Sequence, residues 1–271
     1  MRRRPRPGVP PPLAPDTALF LDVDGTLLDI APTPDAVAVP EALVEMLNRL
    51  GAALDGAVAL VSGRRRSELR TLFHGAHVIM VGEHGATASV PLPAADVTRG
   101  ERPPAGLTAA LRRFAARHPE TLLELKGHGA ALHVRGAPSA AAAARRLAHT
   151  LAETYRDRVR LLRGKAVFEF VTIGVSKGRA VEALLGQDPF RGRRPYVIGD
   201  DVTDEDAFAV ANRLGGISLR VGSSDLRMAA SVARFTLANP SQLRKWLRGC
   251  ADNLGRARTA VRGNYRALRA S

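Results

Sequence analysis

The apolar positions of this chain fall into short runs and longer stripes that alternate in a regular order. Ala18-Leu19-Phe20-Leu21 is an apolar run of four, closed by Asp22-Val23-Asp24-Gly25-Thr26. A short run ended by a turn signal predicts a fully buried strand of a parallel sheet. Pro40 marks the first turn of a helix whose Leu43, Leu47 and Leu50 line one face, with Gly51 as its stop. Ala57 to Val61 predicts a second buried strand, ending in Ser62-Gly63-Arg64, and a short basic helix follows to about Phe73. Val78 to Val81 predicts a third strand, leading into Gly82-Glu83-His84-Gly85-Ala86. Strand, helix, strand, helix, strand is the pattern of a doubly wound parallel sheet.

The rhythm then breaks. Residues 91–104 are rich in Pro, Arg and Gly and read as a linker. Beyond it, Leu107, Leu111, Phe114 and His118 form a helical stripe. Leu122 to Lys126 and Ala130 to Arg135 predict two extended runs around Gly127-His128-Gly129. An alanine-rich helix spans roughly 139–156, and strands at Val159–Leu162 and Val167–Val171 flank a turn at Arg163-Gly164. At Ser176-Lys177-Gly178 the α/β alternation resumes. A helix carries Val181, Leu184 and Leu185, and a strand from Tyr196 to Gly199 ends in Asp200-Asp201. Ala207, Phe208, Ala211 and Leu214 form a helix face, Ile217–Val221 a strand, and Leu243, Trp246 and Leu247 a closing helix. The expected fold class is α/β: a doubly wound parallel-sheet core in two segments, 16–103 and 174–249, with an α+β module inserted at 104–173. Residues 1–15 hold six prolines and four arginines and read as a disordered leader. Residues 250–271 read as a basic helix or tail, in which Leu254, Val261, Tyr265 and Leu268 recur at near-helical spacing.

Composition narrows the function classes. The 271 residues are 45% hydrophobic, and no run approaches the length of a membrane span. Met1-Arg2-Arg3-Arg4 leads into prolines rather than an apolar segment, which excludes a secretory signal. Cys250 is the only cysteine, so no intrachain disulfide forms and nothing in the cysteine content speaks against the cytoplasmic setting that is expected. The net charge of +14 raises nucleic-acid binding. Only four residues are lysine, however, so the charge is arginine spread over solvated faces. With 4% aromatic residues, few stacking platforms exist for a single strand. A positive field also draws in a small phosphorylated substrate.

The chemistry collects at strand ends. Ligands of open α/β sheets sit outside the carboxyl ends of the strands. Asp22 and Asp24 emerge there and, two apart, face one side. Uncompensated, such a pair repels, and a divalent cation with its taste for oxygen ligands is the natural remedy. Ser62, Lys177 and the group Asp200/Asp201/Asp204 stand at neighbouring positions. Singly, Ser62 and Asp204 read as helix caps and Lys177 as a surface residue. Together they supply carboxylates for a cation, a hydroxyl donor and a point charge, the parts that phosphoryl transfer needs.

Asp22-x-Asp24-Gly25-Thr26, Ser62, Lys177-Gly178 and Gly199-Asp200-Asp201-x-x-Asp204 resemble, in order, the four motifs of the haloacid dehalogenase (HAD) superfamily of phosphatases. The resemblance implies a HAD-like core and a cap domain at 104–173. It implies catalytic roles for Asp22 (nucleophile), Asp24 (acid, then base), Ser62 and Lys177 (phosphoryl oxygens). It implies Mg²⁺ held by Asp22, the Asp24 backbone carbonyl and Asp200, with Asp204 in support. The strings Val61-Ser62-Gly63-Arg64, Gly82-Glu83-His84-Gly85-Ala86, Leu123-Glu124-Leu125-Lys126-Gly127, Leu132-His133-Val134-Arg135 and Gly199-Asp200-Asp201-Val202-Thr203-Asp204-Glu205-Asp206 are similar to the trehalose-6-phosphate phosphatases. That family uses a cap Glu-x-Lys pair and a later glutamate for sugar hydroxyls, which match Glu124, Lys126 and Glu169. From the residues alone, the same trio reads first as a cross-strand salt bridge, and it is the resemblance that favours the sugar role. Gly63, Arg64, Glu83 and His84 are expected to border the substrate, Glu83 and His84 alternatively to pack at the cap hinge. The segment Val171-Thr172-Ile173 departs from the family, where a basic residue and proline are common. The expected activity is Mg²⁺-dependent hydrolysis of trehalose 6-phosphate. The alternatives are another substrate (glucosylglycerol phosphate or mannosyl-3-phosphoglycerate) or a non-catalytic sugar-phosphate-binding subunit. The resemblance leaves room for partnership with a trehalose-6-phosphate synthase.

Overall fold

The computed structural model describes residues 6–7, 10–30, 37–92, 102–164, 166–222 and 231–270, and side chains at all of these except 6, 7, 163 and 258–270. The loop expected at 31–34 and most of the linker expected at 91–104 lie outside the described residues.

The larger sheet has eight strands. They are β1 (Arg6–Pro7), β2 (Thr17–Leu21), β3 (Val58–Val61), β4 (Ile79–Gly82), β5 (Thr87–Ala88), β10 (Arg194–Gly199), β11 (Ile217–Val221) and β12 (Phe235–Leu237). Their spatial order is β1-β12-β11-β10-β2-β3-β4-β5, parallel throughout except for the β4–β5 pair. β2 and β3 are buried along their whole length, as unbroken apolar runs require of a sheet covered on both faces. The helices are α1 (Glu41–Ala53), α2 (Arg66–Leu72), α5 (Lys177–Leu185), α6 (Glu205–Arg213) and α7 (Pro240–Ala270). From β2 the chain moves through β3 to β4 on one side, and later through β10, β11 and β12 on the other. The order reverses beside β2, whose register with β10 pairs Leu21 with Ile198. Asp22 directly follows the end of β2 and Asp200 the end of β10, so the acids stand where such sheets bind ligands.

The smaller sheet is antiparallel, in the order β6 (Leu122–Lys126), β7 (Gly129–His133), β9 (Val167–Thr172), β8 (Val159–Gly164). Side chains alternate across it. Ala130, Leu132, Phe168 and Phe170 face inward and pack with Leu107, Leu111 and Phe114 of α3 (Ala105–Arg117) and Ala144, Ala148 and Leu151 of α4 (Ala141–Thr154). Glu124, Lys126 and Glu169 occupy the alternate positions, on the opposite face.

Several details differ from the sequence reading. α1 continues past Gly51 to Ala53, and the reversal falls on Asp55 and Gly56 with φ of 53° and 86°. His118 caps α3 rather than extending it, its ring 4.4 Å from that of Phe114. Arg163 and Gly164 pair with Phe168 and Val167 and so belong to the strand rather than to the turn, and Ala166 takes φ 61°. Gly164 is needed there because a Cβ would stand 2.7 Å from Val167 Cγ1. Leu214 lies beyond α6 and is exposed. The closing helix and the tail are one helix, α7, with Leu243, Leu247, Cys250, Ala251 and Leu254 buried in the core. The leader is ordered where it is described. Arg6–Pro7 pairs with Phe235–Thr236, Leu13 is buried, and the Tyr196 hydroxyl donates to the Pro11 carbonyl at 3.0 Å. The proline-rich composition hid a segment that docks through one leucine and a few backbone groups. Among the described residues, no helix is long and apolar enough to cross a membrane.

Tyr196→Phe removes the bond to Pro11 and keeps the ring. It should lower unfolding stability by about 1 kcal/mol in urea titration, and cleavage by a protease in residues 8–15 should become faster.

Candidate active site

The site grows from the end of β2. Asp22 N–H donates to the Ile198 carbonyl at 2.9 Å, which pins the acid to the neighbouring strand. The chain then turns tightly, the Val23 carbonyl accepting from the N–H groups of Thr26, Leu27 and Leu28. Gly25 takes φ 82°, and a Cβ there would stand 2.1 Å from Asp200 Oδ2. Both the backbone and the space demand glycine. Thr26 Oγ1 lies between two acids, 3.1 Å from Asp22 Oδ2 and 3.2 Å from Asp200 Oδ1.

Lys177 opens α5, where the Ser176 side chain caps the helix by accepting from Arg179 N–H. Its Nζ donates to Asp22 Oδ1 at 2.6 Å and to Asp204 Oδ1 at 2.8 Å, all three side chains being buried. Asp204 Oδ2 in turn accepts from the N–H groups of Asp200 and Asp201, both at 3.1 Å. Burial alone would lower the Lys177 pKa, but Asp204 and Asp22 outweigh it and raise it. The Asp200 carboxyl is raised by burial first, then by Asp22 and Asp204. Asp204 is raised by burial and Asp22, against the pull of Lys177. Oxygens of Asp22, Asp200 and Asp204 lie within 4.8 Å of one another. Three acids against one lysine leave a site whose full ionisation calls for further positive charge.

Asp24 belongs to a second group. Arg64 Nε donates to Asp24 Oδ2 at 2.6 Å, and a terminal Nη donates to Oδ1 at 2.7 Å. Burial works against the charge on Arg64, but Asp24 more than offsets it and raises the pKa. Ser62, buried at the end of β3, accepts at Oγ from Arg64 N–H at 3.2 Å, and its carbonyl accepts from His84 N–H.

The cap adds a third group. Lys126 Nζ donates to Glu169 Oε1 at 2.7 Å and to the Gly63 carbonyl at 2.9 Å, and lies 3.9 Å from Glu124 Oε2. Glu124 and Glu169 stand on strands that are not adjacent, with Ala131 of β7 in register between them. Gly129 and Ala131 leave room for the long side chains to meet above β7. His84 Nε2 is 3.1 Å from Glu169 Oε2, at ion-pair distance rather than in an aligned hydrogen bond. Burial would raise the Glu169 pKa, but His84 first and then Lys126 hold it well below the usual carboxylate range.

One cleft of about 1360 Å³ is lined by Asp22, Asp24, Ser62, Gly63, Arg64, His84, Glu124, Lys126, Glu169, Lys177 and Asp200. Two expected residues stand outside it. Asp204 lies beneath the cleft as the anchor of Lys177 and of two backbone amides. Glu83, expected at the substrate or at the hinge, accepts at Oε2 from cap His128 N–H at 3.2 Å. It joins cap to core, and both it and His84 take a left-handed backbone, with φ of 50° and 57°. The sequence reading missed four side chains. Thr26 was visible only as the last letter of its motif. Arg65, which donates to the cap's Leu125 carbonyl, was hidden in an arginine run. His133 lies 3.5 Å from Glu124 Oε2. Arg220, buried beside Gly199, also borders the cleft, and its Nε has no hydrogen-bond partner among the described residues.

A doubly wound core with these acids at its switch point, roofed by an inserted α+β cap, defines a phosphatase of the haloacid dehalogenase superfamily. Residues 20–241 match the trehalose-phosphatase family. The chain is 38% identical over 245 residues to the trehalose-6-phosphate phosphatase of Escherichia coli K12, covering 88% of this chain and 87% of that one. It is 44% identical over 209 residues to a probable trehalose-phosphate phosphatase of Sinorhizobium fredii, covering 76% and 77%. The C-terminal domain of the Candida albicans trehalose-6-phosphate phosphatase shares the fold at a TM-score of 0.71 and 21% identity, over 87% of this chain and 92% of that one. The chain belongs to the trehalose-phosphatase family.

The depressed Glu169 pKa has a pH consequence. A carboxylate held below its usual value of 4.5 contributes stability that is present above that value and is lost as pH falls below it. The melting temperature should therefore fall more steeply between about pH 5 and about pH 3 in the wild type than in Glu169→Gln, as followed by circular dichroism.

Proposed function

We propose that this chain hydrolyses trehalose 6-phosphate to trehalose and inorganic phosphate, with the phosphoryl group carried in between on Asp22. The observation that supports it most is the shared cleft. The buried acid cluster forms its floor, and two carboxylates with an ammonium on the cap, a set suited to a polyhydroxylated ligand, form its roof.

In the first step an Asp22 oxygen bonds to phosphorus as the bond to the sugar oxygen breaks, and Asp24 gives that oxygen its proton. In the second, Asp24 takes a proton from water as the water oxygen bonds to phosphorus and the Asp22–phosphorus bond breaks. Lys177 and Ser62 hold phosphoryl oxygens and neutralise charge there. Lys177 also fixes the direction of the Asp22 carboxylate through its 2.6 Å bond to Oδ1. Glu124, Lys126 and Glu169 hold sugar hydroxyls, and the closed cap excludes water until the ester is cleaved. The donor set fits Mg²⁺: hard oxygens only, three carboxylates converging, and an excess of negative charge. Asp22, Asp200 and the Asp24 backbone carbonyl would hold the ion, with Asp204 in support. When bound it supplies positive charge against the phosphoryl oxygens. Gly63, Arg64 and His84 border the substrate's path between core and cap.

The departure at Val171-Thr172-Ile173 favours no second substrate. Val171 is buried in the cap sheet, Ile173 points to solvent, and neither borders the cleft. The reaction belongs in the cytoplasm, where the buried thiol of Cys250 stays reduced and a synthase would supply the sugar phosphate.

Phosphate release from a panel of sugar phosphates tests the reading. Trehalose 6-phosphate should be preferred by at least about 100-fold in kcat/KM, a preference of about 2.7 kcal/mol; comparable turnover of unrelated esters would refute it. Asp22→Asn should lose at least about 1000-fold in kcat, and a chelator should abolish turnover until Mg²⁺ is restored.

A further inference from the structure

We infer that Arg64 is a positioning residue for the proton carrier Asp24, rather than a group spent only on binding the substrate. The inference rests on the two-step reading above and adds a residue to it. Both oxygens of Asp24 are taken by one guanidinium, at 2.6 and 2.7 Å, in the two-pronged geometry that fixes a carboxylate in direction as well as distance. Asp24 needs such a holder. Its side chain is 37% exposed and lies beyond the end of β2, whereas that of Asp22 is 7% exposed and locked by Lys177. A half-exposed aspartate otherwise samples several rotamers.

Arg64 is itself well anchored. Its N–H donates to Ser62 Oγ and its carbonyl accepts from Glu83 N–H at 2.8 Å. A Cβ at Gly82 would stand 2.8 Å from that carbonyl, so the two segments are packed backbone to backbone. The preceding carbonyl, of Gly63, is the one that Lys126 of the cap grips. Arg64 thus stands on the stretch that joins the phosphoryl floor to the sugar roof.

The role makes a prediction that substrate binding does not. As the ester bond breaks, the leaving oxygen takes the proton from Asp24, and the resulting carboxylate keeps both of its Arg64 donors. Loss of Arg64 should therefore hurt esters of poorly acidic alcohols far more than esters of acidic phenols, which depart without a proton.

The test is kcat/KM for a series of simple alkyl and aryl phosphate monoesters that carry no sugar, plotted against leaving-group pKa. In Arg64→Ala the slope should become clearly steeper, with the alkyl esters losing at least about 10-fold more than the aryl esters. Arg64→Lys, which keeps the charge but not the fork, should give an intermediate slope, and it carries the test if the alanine variant does not fold. Asp24→Asn should be steep already, and adding Arg64→Ala to it should not steepen it further. An unaltered slope in both Arg64 variants, or a uniform loss across the series, overturns the inference. A rise in KM for trehalose 6-phosphate with unchanged kcat would also overturn it, by assigning Arg64 to binding alone. Neither result touches the assignment of the reaction, which is judged on the wild type's preference for trehalose 6-phosphate over other esters.

Discussion

The buried ammonium of Lys177 is the interaction on which the site is built. A lysine removed from water is costly unless acids surround it, and breaking such a pair leaves an uncompensated buried charge. Here Asp22 and Asp204 hold it at 2.6 and 2.8 Å. Asp204 is fixed by the backbone of Asp200 and Asp201, and Asp22 by the Ile198 carbonyl and the Thr26 hydroxyl. One positive charge therefore ties together the ends of β2 and β10 and the starts of α5 and α6. The end of β2 lies far from the other three pieces in sequence, with the whole cap inserted between Asp22 and Lys177.

The cap relates to that floor through the same side chains that are proposed to hold the sugar. Lys126 reaches the Gly63 carbonyl, Glu169 is met by His84, and Arg65 donates to the Leu125 carbonyl. Recognition and closure share one set of charges. A ligand hydroxyl that takes a bond from Lys126 or Glu169 does so in competition with a core group, so the energy of sugar binding is linked to the position of the cap. Glu83 stands apart from this exchange. Its contact with the His128 N–H holds cap to core without entering the cleft.

The core was legible because its physics is local. Unbroken apolar runs gave β2, β3 and β4 to within a residue, and acids directly after the first of them marked the switch point. The cap cluster was legible as a set of residues, but not as a geometry. That Ala131 and Gly129 open a path across β7 depends on strand register, which no spacing along the chain reveals. Arg65 and Arg220 were lost in a composition where arginine is the ordinary surface cation. The leader misled for the opposite reason: proline marks the absence of helix, not the absence of contacts, and the buried Leu13 is an apolar residue that signals docking.

Two carboxylates one residue apart thus end up in different chemical settings, and the difference comes from their cations. Asp22 lies in a buried floor, held by Lys177 at 2.6 Å, in the position proposed for the nucleophile. Asp24 stands at the wet edge, gripped by Arg64, where protons can reach it from solvent. A lysine suits the first position because a point charge reaches two acids at once. An arginine suits the second because its planar fork orients one carboxylate. Exchange of the two cations would preserve the net charge and lose both functions. The division of labour between the acids is therefore carried less by Asp22 and Asp24 themselves than by residues 155 and 40 positions away from them in the chain.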